Sequence, residues 1–430
     1  MATVTVTQQK LVMNTFATIF QNNLIAADLV SWKQHDGEMN DRNGLQVIEQ
    51  VGPRYNVTET TDGVKDLSSG VQDTVFGSEI FKVNKTFGVS LGWADFVKIR
   101  DIGDARESEA LKAVAQQLSE KIDKYVLEHA ILASNNWVGT PGNNVADLGD
   151  VATAYTRLRE EGVEANDVRM VLSYADRQAL AETIVAYPAT DSLSTGAFRR
   201  GFEGEIYGIP TVFTQQLPAL TVGSRAASGA ALINGASQNV NYTAVAASGA
   251  PGQYLTQTIA IDGLTGSQTV KDGEVFTIAG VYAWDNRAQV TTGRLQQFRV
   301  VGDATASTGA IAALRIFPAL IVQGTSDVNT AHATVDSAPA DNAAITFLGT
   351  ASTAYRPRAI LQKNAIVVDT AQLILPATGT ASRMNLSKVP LSVRMWQHSD
   401  FDTGAHSVRF DVALTANTRE RRRVIRLNGS

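Results

Sequence analysis

The sequence predicts an α+β protein in which an all-β domain interrupts a mixed module of helices and strands. Three observations predict it. Asp104 to Ser134 carries one long amphipathic helical repeat. Residues 150–185 alternate helix, strand and helix, and between Gly223 and Gly349 the character changes to short strands separated by turns.

The long helix rests on Leu111, Val114, Ala115, Leu118, Ile122, Tyr125, Val126, His129 and Ala133, which recur at three- and four-residue steps. Lys112, Gln116, Glu120, Lys121, Lys124 and Glu128 fall elsewhere on the wheel, so one stripe is apolar. At 1.5 Å per residue such a helix is roughly 45 Å long. Asp104 and Glu107 at its start suit the helix dipole.

The next helix spans Asp150 to Glu161 and stops at Gly162, a residue suited to the left-handed C′ position. Arg169 to Ser173 reads as a short buried strand, and Tyr174 to Val185 as a further helix. From Gly223 to Gly349 only 14 residues are Asp, Glu, Lys or Arg. Strands are expected at Thr258–Ile261, Val275–Ile278, Gln297–Val300, Leu314–Ile316 and Ile345–Phe347, with Asp262-Gly263 and Asp272-Gly273 as turns. That pattern describes a small barrel or sandwich. Strands resume at Ala365–Asp369, Leu391–Trp396 and Val408–Leu414, so mixed patterning brackets the β domain and makes it an insertion.

Upstream, Leu11, Val12, Phe16, Ile19, Phe20 and Leu24 give a short helix with an apolar face in want of a partner. Leu45–Val51 and Phe81–Leu91 follow period two, with a polar, turn-rich stretch from Thr60 to Gly70 between them. Together they form a long two-stranded ribbon, which is marginal alone in water and has to lie on something else.

Composition narrows the function. With no cysteine, thiolate catalysis, disulfides, zinc–thiolate sites and iron–sulfur clusters are excluded, and an intracellular origin is expected. Met1 to Thr7 lacks the charged and apolar regions of a secretory signal. The apolar run Ile311–Val322 is broken by Arg315 and Pro318, so no membrane span is expected. A net charge of -5 argues against a dedicated nucleic-acid binder.

Candidate chemistry is sparse. Asp402-Thr403-Gly404 matches the triplet of aspartic proteases, but there is no second triplet and residues 398–406 read better as a loop. His398, Asp400, Asp402 and His406 could ligate a metal, although such spacing is common in surface loops. His129 lies on the apolar stripe and is expected to pack; His35 and His332 have no companions in sequence. Neither a phosphate loop nor a nucleophile elbow occurs. The dense basic run Arg419-Glu420-Arg421-Arg422-Arg423, with Arg426 beyond, is read as a strand whose charges pair with neighbouring subunits rather than as a DNA contact. No catalytic, cofactor-binding or metal-binding residue is assigned, and no cofactor is expected.

The order arm, ribbon, long helix, α/β module, β insertion and returning strands resembles the HK97-type capsid fold. Within that fold it resembles the coat proteins of phages like Salmonella phage P22, which carry an inserted β-barrel. The likeness is carried by Val47-Ile48-Glu49-Gln50, Asp95-Phe96, Gly201-Phe202, Leu217-Pro218-Ala219-Leu220-Thr221, Asp272 to Val281 and Phe298-Arg299-Val300-Val301. The resemblance implies an N-terminal arm at 1–43, an E-loop ribbon at 44–88 and a P-domain with the spine helix at 89–165. It places an A-domain at 166–222 and 351–387, the inserted barrel at 223–350 and C-terminal P-domain strands at 388–430. It implies a non-enzymatic major capsid protein of a tailed phage, with itself as its main partner. The subunits form hexamers and pentamers of an icosahedral head. A scaffolding protein, a portal and, in some relatives, decoration proteins assist, and an expanding procapsid comes to enclose double-stranded DNA in the host cytoplasm. An encapsulin-like nanocompartment shares the fold, but the extra insertion counts against it. A secreted β-rich binding protein is opposed by the long helix.

Overall fold

The computed structural model describes residues 6–39, 45–57, 72–83, 85–92, 109–163, 167–186, 205–225, 231–377, 380–399 and 406–430. The ribbon tip, Asp95-Phe96, Asp104, Glu107, Gly201-Phe202, Asp400 and Asp402 lie outside the described residues. The chain divides into two compact units, one from residues 1–47, 82–130 and 362–419, the other from 48–81, 131–361 and 420–430.

The first unit is built on a six-stranded sheet. Its spatial order is Ser31–Met39, Ile366–Leu373, His406–Thr418, Ser392–Ser399 and Thr380–Asn385, with Lys85–Gly92 also paired to His406–Thr418. The first pair is parallel and the other pairs are antiparallel. Alternation sets the faces: Val408, Phe410, Val412 and Leu414 are all buried. Ser31–Met39 is a strand that the polar sequence Ser-Trp-Lys-Gln-His-Asp-Gly-Glu-Met does not announce. It is anchored by His35 Nε2, 2.6 Å from the buried Asp369 carboxylate, so His35 does have a companion.

The long helix runs Glu109–Leu132. Its stripe is buried as the spacing requires, from Leu111 through Ile122 and Val126 to Ile131. The helix ends two residues before Ser134, and His129, although exposed, packs its ring on Tyr125 with centroids 4.3 Å apart and sets Nδ1 3.2 Å from the Tyr125 carbonyl. Asp123 occupies the buried stripe and accepts the backbone N–H groups of Ile25 at 3.0 Å and Ala26 at 2.8 Å. Burial is the main cause that lifts its carboxyl to about 6, with Glu120 adding to the rise and the two N–H groups opposing it. A folded-state pKa above the unfolded value means that stability grows as pH falls through that window. We therefore expect the subunit to gain on the order of 2–3 kcal/mol between pH 7 and pH 4 relative to an Asp123→Asn variant, read from urea melts of both proteins. A pH-independent difference between the two would refute the assignment.

The second unit contains a mixed sheet in the order Asn136–Val138, Val424–Leu427, Arg358–Gln362, Val168–Leu172, Ile209–Phe213 and Glu205–Ile206. Residues 424–427 thus join this sheet rather than that of 392–399 and 406–418. Helices Leu148–Glu160 and Tyr174–Ala186 accompany it. Asp147 caps the first of them through Gly149 N–H, and Gly162 beyond its end has φ +82. Ser173 and Asp176 form a reciprocal capping box at the second. Asp176 also receives Arg358 Nε at 2.6 Å.

The chain leaves this module through Leu220–Thr221 and returns through Ala354–Tyr355, an antiparallel pair. Between them six strands follow the order Leu232–Ile233, Gln257–Asp262, Ile311–Phe317, Val290–Val300, Val275–Asp285 and Ile345–Phe347. The two outer strands meet at a Leu232–Ala344 bridge and through Ile345 N–H to Ala231 O at 2.9 Å. The sheet thereby closes around Ile259, Phe276, Phe298, Leu314 and Ile316, each essentially inaccessible to solvent. Gly263 and Gly273 adopt φ +75 and +85 at the two turns expected from Asp-Gly. Where the chain enters the insertion, Arg225 Nε donates to buried Glu274 at 2.6 Å, and Arg225 Nη2 donates to Leu348 O and Gly349 O at 2.9 Å each.

Candidate assembly surfaces

Leu45–Val51 and Gly77–Val83 pair as a two-stranded ribbon. Its second strand ends at Val83, and Lys85–Gly92 belongs to the sheet of the first unit, so the period-two run Phe81–Leu91 divides between two structures. Gly77, Glu79, Phe81 and Val83 face inward along the returning strand. Gly77 is required there because a Cβ would stand 2.8 Å from the Tyr254 ring. Beyond the strands, the Gln72 side chain accepts Asn56 N–H at 2.8 Å and donates to Asn56 O at 2.6 Å, continuing the pairing by a side chain. Tyr55 Oη lies 3.1 Å from Thr74 Oγ1. Against this internal order, Ile48 is 63% exposed, Val57 92% and Phe76 58%, three apolar side chains left largely open by the described residues. Apolar groups grouped on an extended element mark a contact face.

The N-terminal helix Val6–Asn23 finds within the chain the partner that its apolar face needs. Val12, Phe16, Phe20 and Leu24 are buried, and Phe16 stacks on Phe410 with ring centroids 4.3 Å apart. The stripe is short enough for one sheet face to satisfy it.

Arg419, Arg421 and Arg426 of the basic run are engaged within the subunit, which corrects the run's reading as an intersubunit strand. Arg421–Arg423 forms a single 3-10 turn, and only Val424–Leu427 is extended. Arg421 is buried against Glu79 and over the Phe317 ring; Arg419 bonds Asp369 at 3.3 Å. Arg426, wholly buried, donates Nε to Ile131 O at 3.0 Å, Nη1 to Gly273 O at 2.7 Å, and Nη2 to Leu132 O at 2.7 Å and Ser134 O at 2.6 Å. It caps the C-terminus of the long helix, where carbonyls lack intrahelical partners. It also lies over the Trp137 ring, 5.3 Å from its centroid. Burial, reinforced by Arg299 and opposed by Asp272, pulls its pKa down to about 9. A buried arginine is tolerated because guanidinium offers five donors in a fixed fork.

The residues weighed for chemistry are placed as follows. Ser399 pairs with His406 in register, so residues 400–405 connect two antiparallel strands. His398 is exposed at the end of its strand. His332 stacks on Tyr242 at 3.5 Å between ring centroids and is thereby a packing residue. Burial is the largest cause that lowers its pKa, to about 4. What the described residues present is a set of exposed apolar side chains, Ile48, Val57 and Phe76, on a frame with paired buried charges.

A family model described as P22 coat protein, gene protein 5, matches residues 1–424. The chain belongs to the P22 coat protein family, and it is a phage major capsid protein that forms an icosahedral shell. No curated protein sequence matches it. Among solved structures, the chain is similar to the mature capsid subunit of bacteriophage PhiM1, with 12% identity, 95% of this chain and 87% of that chain covered, and a TM-score of 0.44. Similarity to the structure from Mycobacterium phage Che8 has 11% identity, 95% and 92% coverage and a TM-score of 0.42. The CUS-3 coat protein I-domain is 28% identical over 29% of this chain and 100% of that chain, with a TM-score of 0.22.

Proposed function

We propose that the subunit builds its shell as a scaffold-assisted procapsid that later expands around double-stranded DNA, with a portal at one vertex and assembly in the host cytoplasm. The observation that carries the assembly step is the ribbon, which holds Ile48, Val57 and Phe76 in solvent on a hydrogen-bonded stem. Laid across a neighbouring subunit, those side chains exchange water for an interface. In this reading residues 1–43 act as the arm, 44–88 as the E-loop and 223–350 as the inserted barrel that braces the subunit. The long helix is the beam about which the subunit turns during expansion. The work is mechanical and not catalytic, and DNA is enclosed without specific binding, as the net charge of -5 suits.

The test is negative-stain microscopy of the purified protein, alone and co-expressed with a scaffolding partner. Closed particles of uniform size are expected in the co-expressed sample. A product that stays monomeric or dimeric under every condition overturns the reading.

A further inference from the structure

A polar cleft of about 490 Å³ opens in the second unit, beside the long hairpin of the β domain. Arg54, Arg287, Arg294, Arg422 and Arg423 all line it, while its acids are Glu160, Glu161 and Asp285. Five guanidiniums line it against three carboxylates, and Glu420, 3.9 Å from Arg423, adds a fourth carboxylate beside it.

The carboxylates are already engaged. Glu160 holds Arg294. Glu161 accepts from Asn136 Nδ2 at 3.3 Å and stands 3.9 Å from Arg422. Asp285 accepts the N–H groups of Arg287 at 2.8 Å and Ala288 at 3.3 Å. Arg287 in turn donates to Gly162 O at 3.0 Å. Arg54 is different, because it makes no hydrogen bond or ion pair with a described residue. Burial, and next the like charge of Arg422, lower its pKa, while Glu420 opposes them. The same two arginines add to the effect of burial on His332. Two like charges, Arg54 exposed to solvent and Arg422 partly buried, therefore line one cleft, an arrangement that an anion between them would relieve.

We propose that this cleft binds a small phosphate-type oxyanion, gripped between Arg54 and Arg422. Guanidinium forks pair with phosphate oxygens through parallel N–H···O bonds, which favours this class over a halide. A longer polyanion would meet Glu160 and Asp285. The volume accommodates pyrophosphate, or one phosphate with its first waters at roughly 30 Å³ each. Bound there, the anion would tie the segment that follows strand Leu45–Val51, at Arg54, to the turn at Arg422. This site does not depend on shell formation, so it is tested on unassembled subunits.

The experiment is calorimetric titration of the full-length subunit with sodium pyrophosphate at fixed ionic strength. One saturable site per chain is expected. Arg54→Gln and Arg422→Gln should each weaken it by on the order of tenfold or more, and the double variant should abolish it. Arg54→Lys should fall between wild type and Arg54→Gln. Lys271→Gln, in an exposed pair with Asp303 that does not line the cleft, should bind as wild type. Far-UV circular dichroism establishes that each variant is folded. In a second arm, a 5′-phosphorylated single-stranded oligonucleotide that binds wild type but not the double variant assigns the phosphate to nucleic acid. An oligonucleotide that fails to bind while pyrophosphate does assigns it to a free oxyanion. Absence of saturable pyrophosphate binding up to about 10 mM, or wild-type affinity in the double variant, overturns the proposal.

Discussion

Replacing Arg426 with methionine should cost the isolated subunit on the order of 4 kcal/mol, a large share of the stability of a typical domain. Methionine keeps the length and apolar character of the arginine stem, so a mere loss of packing would cost far less. Replacing buried charges by apolar groups is often neutral, but only when both partners of an interaction are removed together. Here the partners are the backbone carbonyls of Ile131, Leu132, Ser134 and Gly273, which no substitution can remove. Each acceptor left dry costs about 1–3 kcal/mol, and the saving from no longer burying a guanidinium offsets part of that sum. Arg426→Lys should recover less than half of the loss, since one ammonium with three donors cannot span four carbonyls. Urea denaturation of the three proteins measures this directly. An Arg426→Met subunit within about 1 kcal/mol of wild type would show that the carbonyls find water or each other.

That burial marks the boundary of what the sequence makes legible. The helix Glu109–Leu132 is readable because its apolar residues obey a period that no strand shares, and Ile345–Phe347 because a short alternating run lies between turns. The Asp-Gly turns and Gly162 announce themselves through backbone chemistry that only glycine satisfies easily. Arg426 does not, because its acceptors come from segments 153 to 295 residues away and its letter alone says solvent. Asp123 is hidden in the same way: a carboxylate on an apolar stripe looks like an interruption until two N–H groups 97 and 98 residues distant are placed on it. The division of Phe81–Leu91 between ribbon and sheet was illegible for another reason. Period two fixes which side chains share a face, but not which neighbouring strand supplies the hydrogen bonds. Alternation places Ile48 with Gln46 and Gln50 on the face opposite Val47 and Val51, yet only the structure shows that its face stays open while theirs is partly covered.

Ile48→Asp should therefore leave the subunit folded and abolish shell formation. Ile48 is 63% exposed on Leu45–Val51, so a carboxylate there stays hydrated in the free subunit and should change its unfolding free energy by less than about 0.5 kcal/mol. At a subunit interface the same carboxylate loses its water without gaining a counter-charge, at a cost of several kcal/mol per contact. Every subunit in a shell would meet that cost, so even a modest penalty per contact shifts the assembly equilibrium far toward free protein. Ile48→Leu, equal in apolar character, should assemble normally. Sedimentation through a sucrose gradient separates shells from subunits, and a urea melt checks the fold of the variant. Wild-type yields of closed shells from Ile48→Asp would place the ribbon's apolar face outside the subunit contacts. A lowered melting midpoint would instead show that Ile48 serves the subunit's own core.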